Sequence, residues 1–223
     1  DKFDITNDSI ENIITNHGKI KRVVILAGVF NFKIINNDPD FANFVNVSCI
    51  KKIINYLISK NIFFSFISSE SVFDGEAGNY KEFDIPSPIF PYAKQKVEIE
   101  EYIQKNTNNY QIIRVSKIFD SDFYRNTLVI DWIKKLNSGE DIHCANDNIF
   151  SPIHISDLCL IIESLVTNMN KGIFHACGIE SLNRKEMLEY VIDKFNTEKK
   201  YDGNILYQSL KKFKGAEKQP LNT

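Results

Sequence analysis

Apolar positions along the chain fall into two alternating kinds of run, short β-branched stretches and longer stretches with helical spacing, which is the pattern of parallel strands joined by helical crossovers. Arg22-Val23-Val24-Ile25-Leu26-Ala27 reads as the first strand, and its continuous apolar character predicts burial on both faces at the centre of a parallel sheet. A helix is expected before it, capped by Asp8 or Ser9, striped by Ile10, Ile13 and Ile14 and ending near Gly18. The next helix opens around Asp38-Pro39, and Phe41, Phe44, Val45, Ile50, Ile53, Ile54 and Leu57 recur at helical spacing as far as Lys60. Ile62-Phe63-Phe64-Ser65-Phe66-Ile67 is the second strand, and the chain turns polar directly after it. Gly75, Gly78, Pro86, Pro88 and Pro91 predict a loop over 73–91, too long for a casual connector and of the kind that is often functional. A third unit places a helix over 92–104 and a strand over 110–115. Beyond it, 126–136, 156–166 and 183–195 read as helices, and 141–143 and 172–176 as strands. The expected class is α/β, a doubly wound parallel sheet with a smaller C-terminal lobe interleaved with it.

Composition narrows the function classes. The 223 residues are 43% hydrophobic and 25% charged, enough chain to bury a core without disulfides or metal. No apolar run approaches the roughly 18 residues needed to cross a bilayer, so no membrane association is expected. With 27 basic residues against 29 acidic ones the net charge is -2, and no global positive field exists to hold a nucleic-acid backbone. Cys49, Cys144, Cys159 and Cys177 are scattered without a CxxC pair, each among apolar residues as reduced core cysteines are, which reads as a cytoplasmic protein. His17, His143, His154 and His175 are isolated, so no metal site is expected, and His154 reads as a structural histidine rather than a cleft residue. The chain contains 33 Ile, 24 Asn and 23 Lys against 4 Arg, a bias that AT-rich codon usage produces, so asparagine clusters carry little weight. It begins at Asp1 without Met or a signal-peptide pattern and stops abruptly at Thr223, and it reads as a fragment.

The chemistry concentrates in one helix start and one strand end. In Tyr92-Ala93-Lys94-Gln95-Lys96, a tyrosine and a lysine stand four apart, so both side chains leave the same helix face. An ammonium near the phenol is expected to lower the Tyr92 pKa and let it exchange a proton with a substrate carbonyl or hydroxyl at neutral pH. Ser69 lies just past a central strand, where open α/β sheets place their ligands, and its hydroxyl would bond the same substrate oxygen.

The string Ile67-Ser68-Ser69-Glu70-Ser71-Val72-Phe73-Asp74-Gly75, then Tyr80-Lys81-Glu82 and Pro86-Ser87-Pro88, then Tyr92 to Lys96, resembles the extended short-chain dehydrogenase/reductases. Within them the pattern is most similar to the dTDP-4-dehydrorhamnose reductase family, with its S-T-D-Y-V-F-D-G stretch, E-x-D-x-P-x-P loop and Y-G-x-x-K in that order. Leu26-Ala27-Gly28 resembles the family's N-A-A turn, Asn46 the asparagine of its V-N helix, and Asp4-Ile5 the end of its third strand. Arg114-Val115-Ser116 resembles R-T-S, Ser151-Pro152 resembles G-S-P, Ser156-Asp157-Leu158 resembles E-D-L, and 218–223 is similar to R-P-x-N-T. The resemblance implies a Rossmann-like cofactor-binding domain over 1–116 and a mainly substrate-binding lobe over 117–223, interleaved with the sheet near 149–166. It implies NADP or NAD as cofactor, held by Asp4, Ala27, Gly28, Asn46, Ser68, Lys96 and Ser116, and a nucleotide-sugar substrate. Ser69, Tyr92 and Lys96 would be catalytic, and the oligomer to expect, if any, is a homodimer.

The departures from the family pattern are as informative. The Gly-rich phosphate turn of a first βα unit, expected upstream of Asp4, is missing, which reads as truncation and predicts weak dinucleotide binding by the chain as given. The family's S-T-D-Y is Ser68-Ser69-Glu70-Ser71, and the tryptophan after R-T-S is Lys117, so Glu70, Ser71 and Lys117 are the expected substrate-binding positions. Ser71 cannot serve as the general acid of a sugar-nucleotide dehydratase, which disfavours dehydration. A nucleotide-sugar epimerase uses the same three catalytic residues and stays open as an alternative. So does a non-catalytic binding subunit, because the family also resembles the β subunit of methionine adenosyltransferase.

Overall fold

Phe64 and Phe66 point to one face of a central strand and Ile67 to the other, and that alternation sets the layering of the molecule. The computed structural model describes residues 3–122, 124, 127–196, 200–213 and 220–221. Strands β1 (Arg22–Ile25), β2 (Phe63–Ser69), β3 (Tyr110–Val115) and β8 (Gly172–Ala176) form one parallel sheet in the order β1-β2-β3-β8. On one face Phe64, Phe66 and Ile112 pack against helix α1 (Ile10–Asn16), α4 (Ile50–Ser59) and α5 (Pro91–Asn106), through Ile14, Ile53, Ile54, Leu57, Ile99 and Ile103. On the other face Ile113, Val115 and Ala176 pack against Leu158, Ile161, Ile162 and Leu165 of α7 (Ile155–Thr167), so helices cover the sheet on both sides in a Rossmann-like arrangement. Ser69, Val115 and Ala176 stand in register across three adjacent strands, which brings their carboxyl ends level.

The smaller lobe is built on α6 (Leu128–Ser138), β5 (Ile142–Ala145), α8 (Arg184–Asn196) and β10 (Ile205–Gln208). Trp132, Leu136, Ile142, Cys144 and Leu188 form its core. Gly139 ends α6 at φ 72, a left-handed cap that its missing Cβ permits. Short strands β4 (Ile118–Phe119) with β7 (Ile153–His154), and β6 (Ile149–Phe150) with β9 (Leu182–Asn183), stitch this lobe to the sheet.

Three expectations are corrected. β1 ends at Ile25 and is only partly buried, with Leu26 71% exposed, because it is the terminal strand of the described sheet and has a neighbour on one side only. Cys159 and Cys177 are exposed, unlike Cys49 and Cys144, because the inward face of α7 is the Leu158, Ile161, Ile162, Leu165 stripe and Cys177 follows the end of β8. The long helix from Asp38 is not uniform: α3 (Pro39–Asn43) passes into a π-helical turn over Phe44–Cys49 before α4. A preceding helix, α2 (Phe32–Asn37), has no apolar stripe to announce it and is fixed by Asn31, whose Oδ1 accepts from Lys33 and Ile34 amides. Strand β10, also unforeseen, pairs parallel with β5. Of the C-terminal resemblance, Pro220 and Leu221 are described, whereas Lys218, Gln219, Asn222 and Thr223 lie outside the described residues. No helix among the described residues is long and apolar enough to cross a membrane, and no described group of His, Cys, Asp and Glu is placed to hold a metal ion.

Candidate active site

Pro91 occupies the first turn of α5, where its missing N–H costs nothing, and so fixes the helix start at the strand ends. Tyr92, Lys96 and Glu100 then descend one face of that helix at successive four-residue steps. At the foot of the stripe Glu100 is clamped by Arg114 of β3. Arg114 Nη2 donates to Oε2 at 2.7 Å and Nε reaches both carboxylate oxygens at 3.2 Å, with both side chains buried. Arg114 also lies 5.0 Å from the centroid of Phe73 and donates to the Glu82 carbonyl at 3.4 Å, which ties the 73–91 loop to the sheet. Glu82 in turn accepts from the His175 amide on β8 at 3.1 Å. The motif helix is thus held against β3 by a buried ion pair, while Arg114 and the exposed Glu82 tie the loop to β3 and β8.

Ser69 and Tyr92 line the same cleft of about 200 Å³ at the carboxyl ends of the strands. Glu70, Ser71 and Lys117, the three expected substrate-binding positions, line it as well. Ser69 ends β2, and its Oγ accepts from the Ser71 amide at 3.2 Å and from the Ser71 hydroxyl at 2.8 Å. Both lone-pair directions are therefore used, and the Ser69 proton is left to donate into the cleft. Ser71 acts here by orienting Ser69. Glu70 accepts from the Ser116 hydroxyl, which links the ends of β2 and β3.

Lys96 lies beneath this cleft and does not line it. Its Nζ donates to the Ile67 carbonyl at 2.8 Å and sits 4.6 Å from the Phe66 ring centroid and 5.5 Å from that of Tyr92. Burial lowers its pKa to about 8, partly opposed by the Glu100 carboxylate. The expected depression of the Tyr92 pKa is corrected: burial pushes it up to about 12. The ammonium faces the tyrosine ring and the Ile67 carbonyl, so its charge does not offset desolvation of the phenolate. Tyr92 consequently keeps its proton at neutral pH.

The remaining expected cofactor positions are dispersed. Asn46 is buried at the π-helical turn, and its amide accepts from the Val29 N–H at 2.7 Å and donates to the Val29 carbonyl and Gln95 Oε1, each at 2.8 Å. It pins the loop after β1 to α5. A Cβ on Gly28 would stand 3.2 Å from Asn46 Oδ1, a tight contact to which the asparagine side chain would have to give way. Ala27 and Gly28 are exposed beyond the end of β1, whereas Asp4 caps its own turn by accepting from the Thr6 amide at 2.9 Å. Ser68 is buried with no hydrogen-bond partner for its Oγ. His154 accepts from the Ser156 amide at 3.3 Å and caps α7, a structural role.

Several cleft residues carried no local signal. Phe30, Phe90 and Phe150 form aromatic walls, and Asn148, Arg184 and Pro220 reach the same space from the smaller lobe. Arg184 was legible only through composition: in a chain with 23 Lys and 4 Arg, an arginine marks a place where a planar guanidinium has a use.

The comparison with known proteins agrees with this architecture. The family described as the RmlD substrate binding domain matches residues 1–220. The Bos taurus methionine adenosyltransferase 2 subunit beta is 26% identical over 172 residues, covering 73% of this chain and 51% of that protein, so this chain spans about half the length of that relative. The dTDP-4-dehydrorhamnose reductase of Aggregatibacter actinomycetemcomitans is 25% identical over 184 residues, covering 79% of this chain and 62% of that protein. Among solved structures, a hypothetical dTDP-4-dehydrorhamnose reductase from Sulfolobus tokodaii superposes with a TM-score of 0.84 at 26% identity, covering 99% of this chain and 76% of that one. The dTDP-4-dehydrorhamnose reductase of Bacillus anthracis, solved with NADP, gives 0.82 at 24% identity over 92% of this chain and 72% of that one, a likeness of fold. With the family pattern running from residue 1 to residue 220, the chain belongs to the RmlD substrate-binding-domain family.

Proposed function

We propose that this chain carries the proton-donating site of an NAD(P)-dependent oxidoreductase that reduces the 4-keto group of a nucleotide-sugar, with Tyr92 as proton donor. The observation that supports the reading is that Ser69 and Tyr92 line one cleft, with the Lys96 ammonium 5.5 Å from the tyrosine ring centroid. A protonated phenol and a serine hydroxyl with its proton free are both donors, and two donors converging on one substrate oxygen stabilise the charge that develops as a carbonyl becomes an alkoxide. Tyr92 then gives its proton to that oxygen, and Ser69 holds the oxygen in place while the carbonyl carbon is attacked.

A nicotinamide cofactor supplies the hydride when bound. Residues present here fit its ribose end. Lys96 spends one of its three N–H donors on the Ile67 carbonyl and retains two, and the buried hydroxyl of the next residue, Ser68, has no partner. The exposed Ala27-Gly28 backbone beyond the end of β1 offers a cofactor further polar groups. Lys96 would then orient the ribose through its remaining donors.

A second reading, a non-catalytic binding subunit, is favoured by one observation, the match of 73% of this chain to a methionine adenosyltransferase 2 subunit beta. The two separate in a direct assay. The full-length protein, offered NADH or NADPH and a panel of 4-keto nucleotide-sugars, should oxidise the cofactor with at least one of them. Failure with every member would overturn the reductase and leave the epimerase and the binding subunit.

A further inference from the structure

Lys117 and Arg184 line the cleft, one just after the end of β3 and the other from the first residue of α8, in the same small space as Ser69 and Tyr92. Among the described residues neither forms an ion pair. Arg184 Nε is buried without a hydrogen-bond partner, and the guanidinium lies 5.7 Å from the Phe150 ring centroid. A buried donor left unpaired costs free energy, and the rest of the guanidinium belongs to the cleft wall, where an acceptor brought by a ligand can reach it. Among the described residues that line the cleft, Glu70 is the one carboxylate, and it is engaged by the Ser116 hydroxyl. The described lining therefore carries two cations and one acid. Crowding by protein lowers both cations' pKa values, with Glu70 partly opposing the effect, so each is held at a desolvation cost that an arriving anion would relieve.

Size restricts what the anion belongs to. At about 200 Å³ the cleft is smaller than the roughly 300–1,000 Å³ of pockets that enclose drug-sized ligands, so it takes one ring-sized part of a substrate. Whatever Lys117 and Arg184 hold is therefore within a sugar's width of the oxygen between Ser69 and Tyr92.

We infer that Lys117 and Arg184 form an anion subsite for an oxyanion attached to the reacting sugar, either a carboxylate on the ring or the phosphoryl group on its anomeric carbon. This rests on the nucleotide-sugar reading, and it names the charge that the substrate presents at that place. The aromatic walls contact the sugar's faces while the two cations fix its rotation, so that one ring carbon faces the donors. Arg184 supplies a planar fork and Lys117 a single flexible charge, a pair that matches the two oxygens of a carboxylate or two oxygens of a phosphoryl group.

Calorimetric titration of the full-length protein with UDP-glucuronate, UDP-glucose, inorganic pyrophosphate and D-glucuronate tests this without any turnover. Lys117→Gln and Arg184→Gln should each weaken the anionic probes by about tenfold to 100-fold, the loss expected for one charge-assisted hydrogen bond. Lys117→Arg and Arg184→Lys should recover part of the affinity. A loss confined to UDP-glucuronate and D-glucuronate assigns the subsite to a ring carboxylate, and an equal loss on both UDP-sugars and pyrophosphate assigns it to the phosphoryl group. Binding of pyrophosphate or D-glucuronate that depends on the two cations, without binding of either UDP-sugar, would uphold the subsite and defeat the nucleotide-sugar reading. Gln variants that melt as wild type and bind all four probes as wild type would overturn the proposal, as would a wild-type protein that binds none of the anions.

Discussion

Glu100 and Arg114 form a buried ion pair in which three guanidinium contacts of 2.7 to 3.2 Å converge on one carboxylate, two helical turns below Tyr92 on the same face of α5. Both side chains are nearly sealed from water, at 1% and 2% exposure, so removing one partner leaves a bare charge in the interior. Glu100→Ala is expected to destabilise the protein by about 3–5 kcal/mol, and Arg114→Met by a similar amount. Replacing both together should cost less than the sum of the two, because the second change removes the charge that the first had stranded. Urea unfolding of the two single variants and the double variant measures this directly. Additive losses would show that the pair contributes nothing as a pair.

Burial holds the Lys96 pKa at about 8, below its ordinary 10.5. Between those values the unfolded chain carries a proton that the folded chain has given up, so stability rises with pH across the window. Below about pH 8 the burial penalty is present in full, and above the unfolded value it is gone. Lys96→Met lacks this titration. The stability of wild type relative to Lys96→Met should therefore increase from about pH 8 to about pH 9.5, by at most about 1.4 kcal/mol per pH unit. Tyr92, with its pKa raised from 10.0 to about 12, acts in the opposite direction only at higher pH, where the folded state keeps a proton that the unfolded chain loses. Denaturant titrations at several pH values should show the two slopes separately, and parallel curves for wild type and Lys96→Met would refute the buried-ammonium assignment.

What the sequence made legible is what local physics decides. Strands 110–115 and 172–176 are found where the short runs between helical stretches placed them, because alternation of short strands with helical crossovers is set by local residue pattern. Ser69, Glu70, Ser71, Tyr92 and Lys117 fell on one cleft because each sits at a strand end or a helix start, and those ends are brought level by strand register. Arg184, Asn148 and Phe150 escaped notice because they reach the cleft through tertiary folding of the smaller lobe, which no short spacing encodes. The direction of the Tyr92 shift is not legible in the sequence for a related reason. Helical spacing places the lysine near the tyrosine, but only the fold reveals that its ammonium is spent on the Ile67 carbonyl and that the phenol is desolvated.

Asn46 offers a test of the loop that follows β1. Its side chain satisfies both backbone groups of Val29 and the Gln95 carbonyl oxygen, and all three lie on different segments from its own. Asn46→Asp keeps the acceptor for the Val29 N–H but loses both donated bonds, and it sets a carboxylate against two oxygens. The expected cost is about 1–3 kcal/mol or more at neutral pH, shrinking as the medium is acidified and the carboxyl regains a proton to donate. Thermal melts at neutral and acidic pH, compared with wild type at each, give the sign. Faster amide exchange at Val29 in the variant would locate the damage in that loop.

Tyr92→Phe separates chemistry from architecture. Among the described residues nothing hydrogen-bonds the Tyr92 hydroxyl, whose ring lies 6.3 Å from Phe90 and above the Lys96 ammonium. Removing that oxygen strands no partner and preserves the ring, so the melt should stay within about 0.5 kcal/mol of wild type or rise slightly. If Tyr92 is the proton donor, turnover of the keto-sugar should fall by roughly 100-fold or more while substrate binding changes little, because the lost bond matters most as the alkoxide forms. A Ser69→Ala variant should lower turnover as well, with its larger effect on kcat than on KM, since its hydroxyl bonds the same oxygen. A Tyr92→Phe protein that folds and turns over at the wild-type rate would exclude the phenol as the acid and return the cleft to a binding role.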